Sequence, residues 1–354
     1  MPLSVLSIEK NLNRYFENKF PERKENRISE ITSLAKGWET ELFSFKYKYI
    51  EEGDSMKKQL ILRIYPSSNV EKKTKWEFEV LTSLFKAGYP VPETHVLELD
   101  LEYFEYPFII MDRISGKDMG DDFTKALQEG NLEKITNEIL PIQTKLFVEL
   151  HNLDWKILPI DFESDKEITS SYLLDRLIKN LGKRVEKFQL QDLNPIFQWL
   201  KEKKLTLKFE RISILHNDYH PHNIIISEED KAYVIDWPAC FVGDFRQDLG
   251  WTLLLTGAYT SKEIRDMVLK FYEEILGSEV QDIEYFEILA ATRRIMDMFI
   301  FLEQDSEIAG IRDETKQQIK ETAFHLEYVA KLVKDITGIS IPRFNELIQS
   351  LLIE

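Results

Sequence analysis

The stretch LHNDYHPHNIII, residues 215–226, decides the fold, and the shorter stretch VIDW, residues 234–237, completes it. The first stretch holds three of the six histidines of the chain, together with Asp218 and Asn223. Asp236 follows Asn223 after thirteen positions, at the end of a second apolar run. Short apolar runs separated by a charged turn predict a hairpin, so the pattern places polar side chains at both ends of one hairpin.

The residue types and their spacing suit phosphoryl transfer. This reaction needs an acceptor hydroxyl held in line and a divalent cation that neutralises phosphate charge. An Asp followed, after four intervening residues, by an Asn is the spacing of a kinase catalytic loop. A second Asp at the end of the next hairpin adds another oxygen ligand, and Mg²⁺ prefers such hard oxygen donors.

Further motif residues lie downstream, namely GD (243–244) and DL (248–249). Together the segments resemble the His-Gly-Asp-x-x-x-x-Asn loop and the Ile-Asp-Trp motif of the aminoglycoside phosphotransferase and choline kinase superfamily. They lack the Asp-Phe-Gly of protein kinases. The resemblance implies that Asp218 is the catalytic base and that Asn223 and Asp236 bind one or two Mg²⁺ ions.

The resemblance also implies structural roles around the loop. His216 would hold the loop rather than take part in the chemistry, and Asp244 and Asp248 would shape the loop and the helix that follows. Asn217 stands where glycine is usual in the family. Because Asn tolerates left-handed backbone angles better than most residues, the turn is expected to form.

Upstream, the resemblance extends to about residue 31 and implies a nucleotide-binding region. The segment 36–41 matches the loop that covers the nucleotide, and the strand around Arg63 matches the strand whose Lys usually contacts the phosphates. Glu77 matches the helix carboxylate that pairs with that cation, and the segment 108–116 matches the last strand and the hinge, whose backbone would hold the adenine. The implied nucleotide-binding residues are Gly37, Arg63, Glu77, Met111, Arg113 and Ile114.

Hydrophobic periodicity predicts a β-rich beginning and a helical remainder. Residues 1–30 and 72–87 are expected to be helical, 31–50 to form a strand pair, and 59–65, 96–101 and 107–111 to be strands. Long helical patterns cover 121–155, 165–203, 245–275 and 280–335.

With the resemblance, these patterns imply an α+β, two-lobed protein-kinase-like fold with a β-rich N-terminal lobe and a helical C-terminal lobe. Residues 1–115 would be the nucleotide-binding lobe, an antiparallel sheet with one helix, preceded by an N-terminal helix. Residues 116–354 would be the helical lobe, with the catalytic loop and the acceptor site.

Composition narrows the range of partners. The 354 residues carry a net charge of −16, which argues against nucleic acid or an anionic membrane as the main partner, because both favour basic surfaces. A single cysteine permits no intrachain disulfide. Neither a signal peptide nor an uninterrupted apolar run of membrane-spanning length is recognised. We expect a cytoplasmic monomer or homodimer.

The predicted function is transfer of the γ-phosphate of ATP or GTP to a hydroxyl of a small molecule. An aminoglycoside or macrolide antibiotic, choline, a sugar and an amino-alcohol metabolite all suit the same catalytic core. One alternative is a catalytically degenerate, nucleotide-binding protein of the same fold. Another is a metal-dependent hydrolase whose ligands come from the His and Asp residues of 216–222, although Pro221 disfavours the regular strand that would align them.

Overall fold

The computed structural model describes residues 4–34, 40–66, 70–162, 167–304, 317, 320 and 322–353. The chain divides into two compact units. The first contains Met1–Lys117, Ile157–Pro159 and Ile225–Pro238, and the second contains Asp118–Lys156, Ile160–Ile224 and Ala239–Glu354. The hairpin that leads to Asp236 thus groups with the N-terminal unit, whereas Asp218 and Asn223 belong to the helical unit. The roles assigned to residues 1–115 and 116–354 stay predictions.

Five strands of the first unit form an antiparallel sheet in the order β1-β2-β3-β5-β4. Gly53, with φ +94°, allows the tight turn between the second and third strands. The elements are α1 (Val5–Lys19), β1 (Lys24–Ser33), β2 (Glu41–Glu51), β3 (Asp54–Ile64), α2 (Glu71–Lys86), β4 (Thr94–Glu98) and β5 (Phe108–Asp112).

Helix α1 packs on the sheet through one apolar stripe. Its buried residues Ile8, Leu12, Tyr15 and Phe16 recur at the spacing that places side chains on one helix face. The ring of Phe16 stacks on that of Tyr47 in β2, with ring centroids 4.0 Å apart. The N-terminal helix therefore completes the core of the first unit.

Strand β1 corrects the prediction that residues 1–30 are helical. The helix ends at Lys19, and the chain then pairs with β2 from Lys24 onwards. Of the ten residues of β1 only Ile28 is buried. Because β1 is an edge strand, most of its side chains are polar or charged and exposed to solvent, which hides the alternation by which strands are recognised.

A smaller three-stranded sheet has the order β6-β8-β9, with β6 (Gly116–Asp118), β8 (Ile224–Ser227) and β9 (Ala232–Val234). Gly116 is required for the approach of the first two strands, since a Cβ there would lie 2.1 Å from the carbonyl oxygen of Ile226. The hairpin between β8 and β9 is the one that the sequence predicts around its charged turn.

The second unit is mainly helical and contains one two-stranded sheet, β7 paired antiparallel with β10. A π-helical turn, Ile135–Ile139, precedes its third helix. The elements are α3 (Met119–Gln128), α4 (Leu132–Lys134), α5 (Leu140–Asn152), α6 (Ser170–Lys187), α7 (Asn194–Lys204), β7 (Ile212–Leu215), β10 (Phe241–Asp244), α8 (Phe245–Tyr259), α9 (Lys262–Leu276), α10 (Ile283–Glu303), α11 (His325–Thr337) and α12 (Pro342–Ile353).

Helices α8 and α10 form the centre of this unit and are buried along most of their length. Their backbones approach closely at Gly250, where a Cβ would lie 2.7 Å from the carbonyl carbon of Phe286. The long helical patterns of the sequence correspond to these helices, with breaks that periodicity did not locate, and α12 lies beyond the last predicted pattern. No helix within the described part of the chain is both long and apolar enough to cross a membrane.

Candidate active site

Arg63 of β3 is the centre of a charged group in the first unit. It is 8% exposed, and its Nη1 lies 3.1 Å from Oε1 of Glu77, which is buried on α2. Tyr65 donates a hydrogen bond from Oη to Oε2 of the same carboxylate. The pairing of Arg63 with Glu77 is thus present, and the phenol fixes the carboxylate that receives it.

Arg63 has a second acidic contact. Its Nη2 donates a hydrogen bond to Oδ1 of Asp236 at 2.7 Å, so one guanidinium bridges two carboxylates. Asp236 is 42% exposed in its side chain and has φ +68°. This left-handed conformation is uncommon for residues other than glycine. The next residue, Trp237, is fully buried and donates from Nε1 to the carbonyl of Val234, which holds the turn in this conformation.

The predicted hinge follows β5 in the first unit. Met111 is buried in β5, Ile114 is half-buried, and the side chain of Arg113 is exposed. The backbone N–H of Arg113 donates to the carbonyl of Gln59 at 3.0 Å, so this amide is already engaged in the sheet. Gly37, assigned to the nucleotide-covering loop, lies outside the described residues.

The loop after β7 in the second unit is fixed by Asp248, a fully buried residue of α8. Its Oδ2 accepts a hydrogen bond from the backbone N–H of His216 at 2.6 Å, and its Oδ1 accepts one from that of Asn217 at 2.8 Å. Oδ2 also lies 3.3 Å from Nε2 of His151. Asp248 therefore shapes the start of the loop, as the sequence predicts.

Asn217 has φ +64°, which confirms that asparagine supports the left-handed turn here. Its Nδ2 donates to the carbonyl of Ala239 at 2.9 Å. Asp244 caps α8 by accepting from the backbone N–H of Arg246, and its carboxylate also pairs with the buried guanidinium of that residue. The turn and the following helix are thus held by buried side chains.

Asp218 lies in this loop with its side chain 40% exposed. Its Oδ1 accepts a hydrogen bond from Nε1 of Trp251 at 3.1 Å, and its Oδ2 lies 3.7 Å from Nε2 of His220. Burial alone would raise the pKa of Asp218, but the contacts with His220 and Trp251 outweigh it and hold the pKa below the ordinary value. The carboxylate is therefore ionised at neutral pH and ready to accept a hydrogen bond.

Asn223 closes the loop from its far end. Its Nδ2 donates to the backbone carbonyl of Asp218 at 2.8 Å and lies 3.3 Å from Nε2 of His220. Among the described residues, no donor reaches its Oδ1. With Asn223 oriented by its nitrogen, this hard oxygen is free for a cation. In the first unit, Oδ2 of Asp236 likewise has no partner in the described part of the chain, and each of these two oxygens by itself is a hard donor of the kind that Mg²⁺ prefers.

The remaining loop histidines contact protein groups. The ring of His216 lies beside that of Tyr219, and Nδ1 of His222 lies 3.2 Å from Oδ2 of Asp118, whose Oδ1 caps α3 at Gly120. The hydrogen bond that His222 donates to the carboxylate of Asp118 raises the pKa of His222. In the described chain, two groups of three residues could hold a metal, Glu93 with His95 and Asp112, and Asp118 with Asp121 and His222. Neither group contains His216, Asp218 or His220, which the hydrolase hypothesis combines with His222.

Two residues near Asp218 were missed by sequence reasoning, Trp251 and Arg293. Trp251 lies three positions after Asp248 on α8, so helical spacing places the two on the same face and could have indicated it. Arg293 lies on α10, 75 positions after Asp218. No local pattern links it to the loop, although its Nη1 donates to the carbonyl of Asn217 at 3.3 Å.

Comparisons with solved structures bear on the fold. A solved aminoglycoside phosphotransferase candidate from Ralstonia eutropha JMP134 is 16% identical, with a TM-score of 0.61, over 91% of this chain and 98% of that one. A thermostable mutant of aminoglycoside phosphotransferase APH(4)-Ia, solved in a ternary complex with ADP and hygromycin B, is 14% identical with a TM-score of 0.59, over 94% of this chain and 100% of that one. These similarities show the two-lobed, kinase-like α+β fold.

Sequence comparison gives the family. Acyl-CoA dehydrogenase family member 10 of Mus musculus is 24% identical over 206 residues, which are 56% of this chain. The chain spans only 18% of the length of that relative. The model of the phosphotransferase enzyme family matches residues 31–283, which include β2, β3, α2 and the whole loop from His216 to Asn223. The chain therefore belongs to the phosphotransferase enzyme family.

Proposed function

We propose that this protein transfers the γ-phosphate of ATP or GTP to a hydroxyl group of a small molecule. The observation that carries the proposal is the state of Asp218, an ionised carboxylate with a partly exposed side chain, one of whose oxygens accepts a hydrogen bond from Trp251. Such a group can accept the hydrogen of an acceptor hydroxyl and orient its oxygen for in-line attack. The matching family supports the same reaction class.

The nucleotide side is assigned to the first unit. Arg63 would contact the phosphates, and Glu77 would hold the guanidinium in place. The backbone near Met111, Arg113 and Ile114 would hold the adenine, with the N–H of Arg113 the least available group because it bonds to Gln59. Gly37 keeps its predicted role in the covering loop. The ADP complex of a solved protein of this fold supports an adenine nucleotide as donor.

Asn223 and Asp236 would hold the metal through their free oxygens. Bound Mg²⁺ would supply positive charge to the phosphates of the donor. Because Arg63 also contacts Asp236, this arginine would help to orient the carboxylate toward its ligand. We further propose a cytoplasmic monomer or homodimer whose helical lobe, residues 116–354, holds the acceptor.

The test is a nucleotide-consumption assay with ATP and GTP, Mg²⁺, and a panel of antibiotics, sugars, amino alcohols and hydroxy acids, with mass spectrometry of the products. Asp218→Asn should lower kcat by about 10²- to 10⁴-fold while nucleotide binding persists. Asp230→Asn is the matched control, since Asp230 is exposed in the turn between β8 and β9 with φ +58°, a conformation that Asn also adopts.

The outcomes separate the candidate functions. Wild-type turnover by Asp218→Asn would contradict the assignment of the base. Nucleotide binding without phosphorylation of any compound would favour the catalytically degenerate protein. Turnover that requires zinc rather than Mg²⁺ would favour the hydrolase.

A further inference from the structure

We infer that the acceptor of this enzyme carries an anionic group, a carboxylate or a phosphate, and that Arg293 binds it. The inference rests on the proposed function and names the substrate class for the same site. It arises from a charged group in the second unit that the phosphotransfer reaction itself does not use.

Arg293 contacts two residues that adjoin the proposed base, Trp251 and Asn217. Its guanidinium carbon is 4.2 Å from the centre of the Trp251 ring, and the indole N–H of that tryptophan donates to Asp218. The Nη1 of Arg293 donates to the carbonyl of Asn217, the residue before Asp218. A molecule whose hydroxyl meets Asp218 therefore has Arg293 and the edge of Trp251 as immediate neighbours.

The charge of Arg293 is only partly compensated. Its Nε lies 3.8 Å from Oδ2 of Asp297, whereas Nη2 of Arg184 lies 2.7 Å from the other oxygen of the same carboxylate. Two guanidinium groups thus share the carboxylate of Asp297, and the closer pair is the one with Arg184, so Asp297 balances the charge of Arg293 only in part. A polycationic acceptor would meet repulsion at this place, whereas an anion would be attracted.

The guanidinium of Arg293 also has N–H groups that are not used in hydrogen bonds to the described residues. The side chain of Arg293 is 33% exposed, and among the described residues no acceptor lies within hydrogen-bond distance of its Nη2. The planar fork of Arg matches carboxylate and phosphate groups with two parallel hydrogen bonds. Stacking on Trp251 orders the side chain beforehand, which reduces the entropy lost on binding.

The net charge of −16 does not oppose this inference. Salt screens charges beyond about 8 Å at physiological ionic strength, so the local charge around Arg293 decides what binds beside Asp218. The whole-chain charge acts at longer range and affects the rate of encounter more than the final contact.

The experiment compares acceptors that differ only in one terminal group. Gluconate, sorbitol and 1-amino-1-deoxysorbitol form one matched series, and glycerate, glycerol and 3-amino-1,2-propanediol form a second. Phosphorylation is measured with Mg²⁺ and ATP, and binding of each compound is measured by calorimetry in the presence of ADP and Mg²⁺. The proteins are the wild type, Arg293→Met, Arg293→Lys and Arg343→Met.

Arg343→Met is the matched control. Arg343 also pairs with carboxylates, those of Asp192 and Glu303, and its guanidinium carbon also lies over an aromatic ring, 4.8 Å from the centre of Phe299. Its removal should leave the preference among acceptors unchanged. Arg293→Lys keeps the charge but not the fork and should retain part of the preference.

We expect the anionic member of a series to bind and react best. Arg293→Met should raise its KM about ten- to a hundredfold, with a much smaller effect on the neutral member. A structural role of Arg293 would instead change kcat for all three members alike. Turnover that is highest with a neutral or cationic member, or unaffected by Arg293→Met, would overturn the inference and leave the proposed function standing.

Binding separates the two proposals further. Arg293-dependent binding of gluconate or glycerate without any phosphorylation would support the anionic subsite and contradict the proposed function. Absence of binding by both anionic compounds at millimolar concentration would count against the inference, whatever the enzyme phosphorylates.

Discussion

Replacement of Asp248 by Ala should destabilise the helical unit more than any single surface change. Asp248 is fully buried and accepts hydrogen bonds from the backbone N–H groups of His216 and Asn217, at 2.6 and 2.8 Å. Alanine would leave these donors without a partner inside the protein. The perturbation therefore affects the loop that carries Asp218 without touching Asp218 itself.

The magnitude follows from the two donors. His216 is fully buried, so its N–H would lose a charge-assisted hydrogen bond with no water to replace it, at a cost of about 1–3 kcal/mol. Asn217 is half-buried, and its N–H would cost about 1 kcal/mol because water can reach it in part. The free energy of unfolding should thus fall by about 2–4 kcal/mol.

The assay is urea unfolding followed by circular dichroism, which reports on the helical unit. Asp335→Ala serves as the control, because Asp335 forms an exposed ion pair with Lys331 and such pairs are worth about 0–1 kcal/mol. Equal unfolding free energies of Asp248→Ala and the control would refute the reasoning. Activity gives a second measurement, since a loosened loop should lower kcat even where the variant is fully folded.

Two further predictions concern stability. Gly250→Ala should lower the free energy of unfolding by about 1–3 kcal/mol, because its Cβ would lie 2.7 Å from the backbone of Phe286. Gly182→Ala, on α6 with nothing within 4 Å of the added Cβ, should raise the free energy of unfolding by about 0.5–1 kcal/mol. If urea unfolding gave the reverse order of stability, it would contradict the packing of α8 on α10. Burial and the charge of Arg294 lower the pKa of His325 to about 4. The unfolded His325 side chain titrates near pH 6.5, so the folded state binds a proton less readily than the unfolded state. The contribution of His325 to the free energy of unfolding is therefore complete above pH 6.5 and is lost as the pH falls toward 4, about 3 kcal/mol in total. His325→Gln should flatten the fall in urea-unfolding free energy between pH 7 and 4, and equal slopes would contradict the buried, neutral histidine.

Sequence reasoning succeeded where the information is local. The loop spacing, the left-handed Asn217 and the supporting role of Asp248 all follow from neighbouring residues or from one motif. Strand β1 was missed because an edge strand needs no apolar alternation, and its identity comes from pairing with β2 rather than from its own residues.

The contacts of the candidate site residues in each unit could be predicted only in part. The pairing of Arg63 with Glu77 was implied by the family resemblance, but the second contact of Arg63, with Asp236, was not. That contact depends on the left-handed turn before Trp237, which only the folded chain shows. The contact of Arg293 with the loop of Asp218 could not be predicted from the sequence either. The face that a long buried helix presents to a distant loop is set by the packing of the whole unit.

The lowered pKa of Asp218 bears on what this residue can contribute to phosphotransfer. A carboxylate that binds protons weakly is a poor acceptor of a full proton from an alcohol. Phosphoryl transfer, however, passes through a loose transition state in which the acceptor oxygen has gained little bonding, so the hydroxyl needs orientation before it needs deprotonation. With Oδ1 held by Trp251, Oδ2 is the oxygen left to receive the hydroxyl hydrogen. In the proposed reaction, Asp218 would then act chiefly by fixing the direction of attack, and the group that binds the other end of the acceptor would select it.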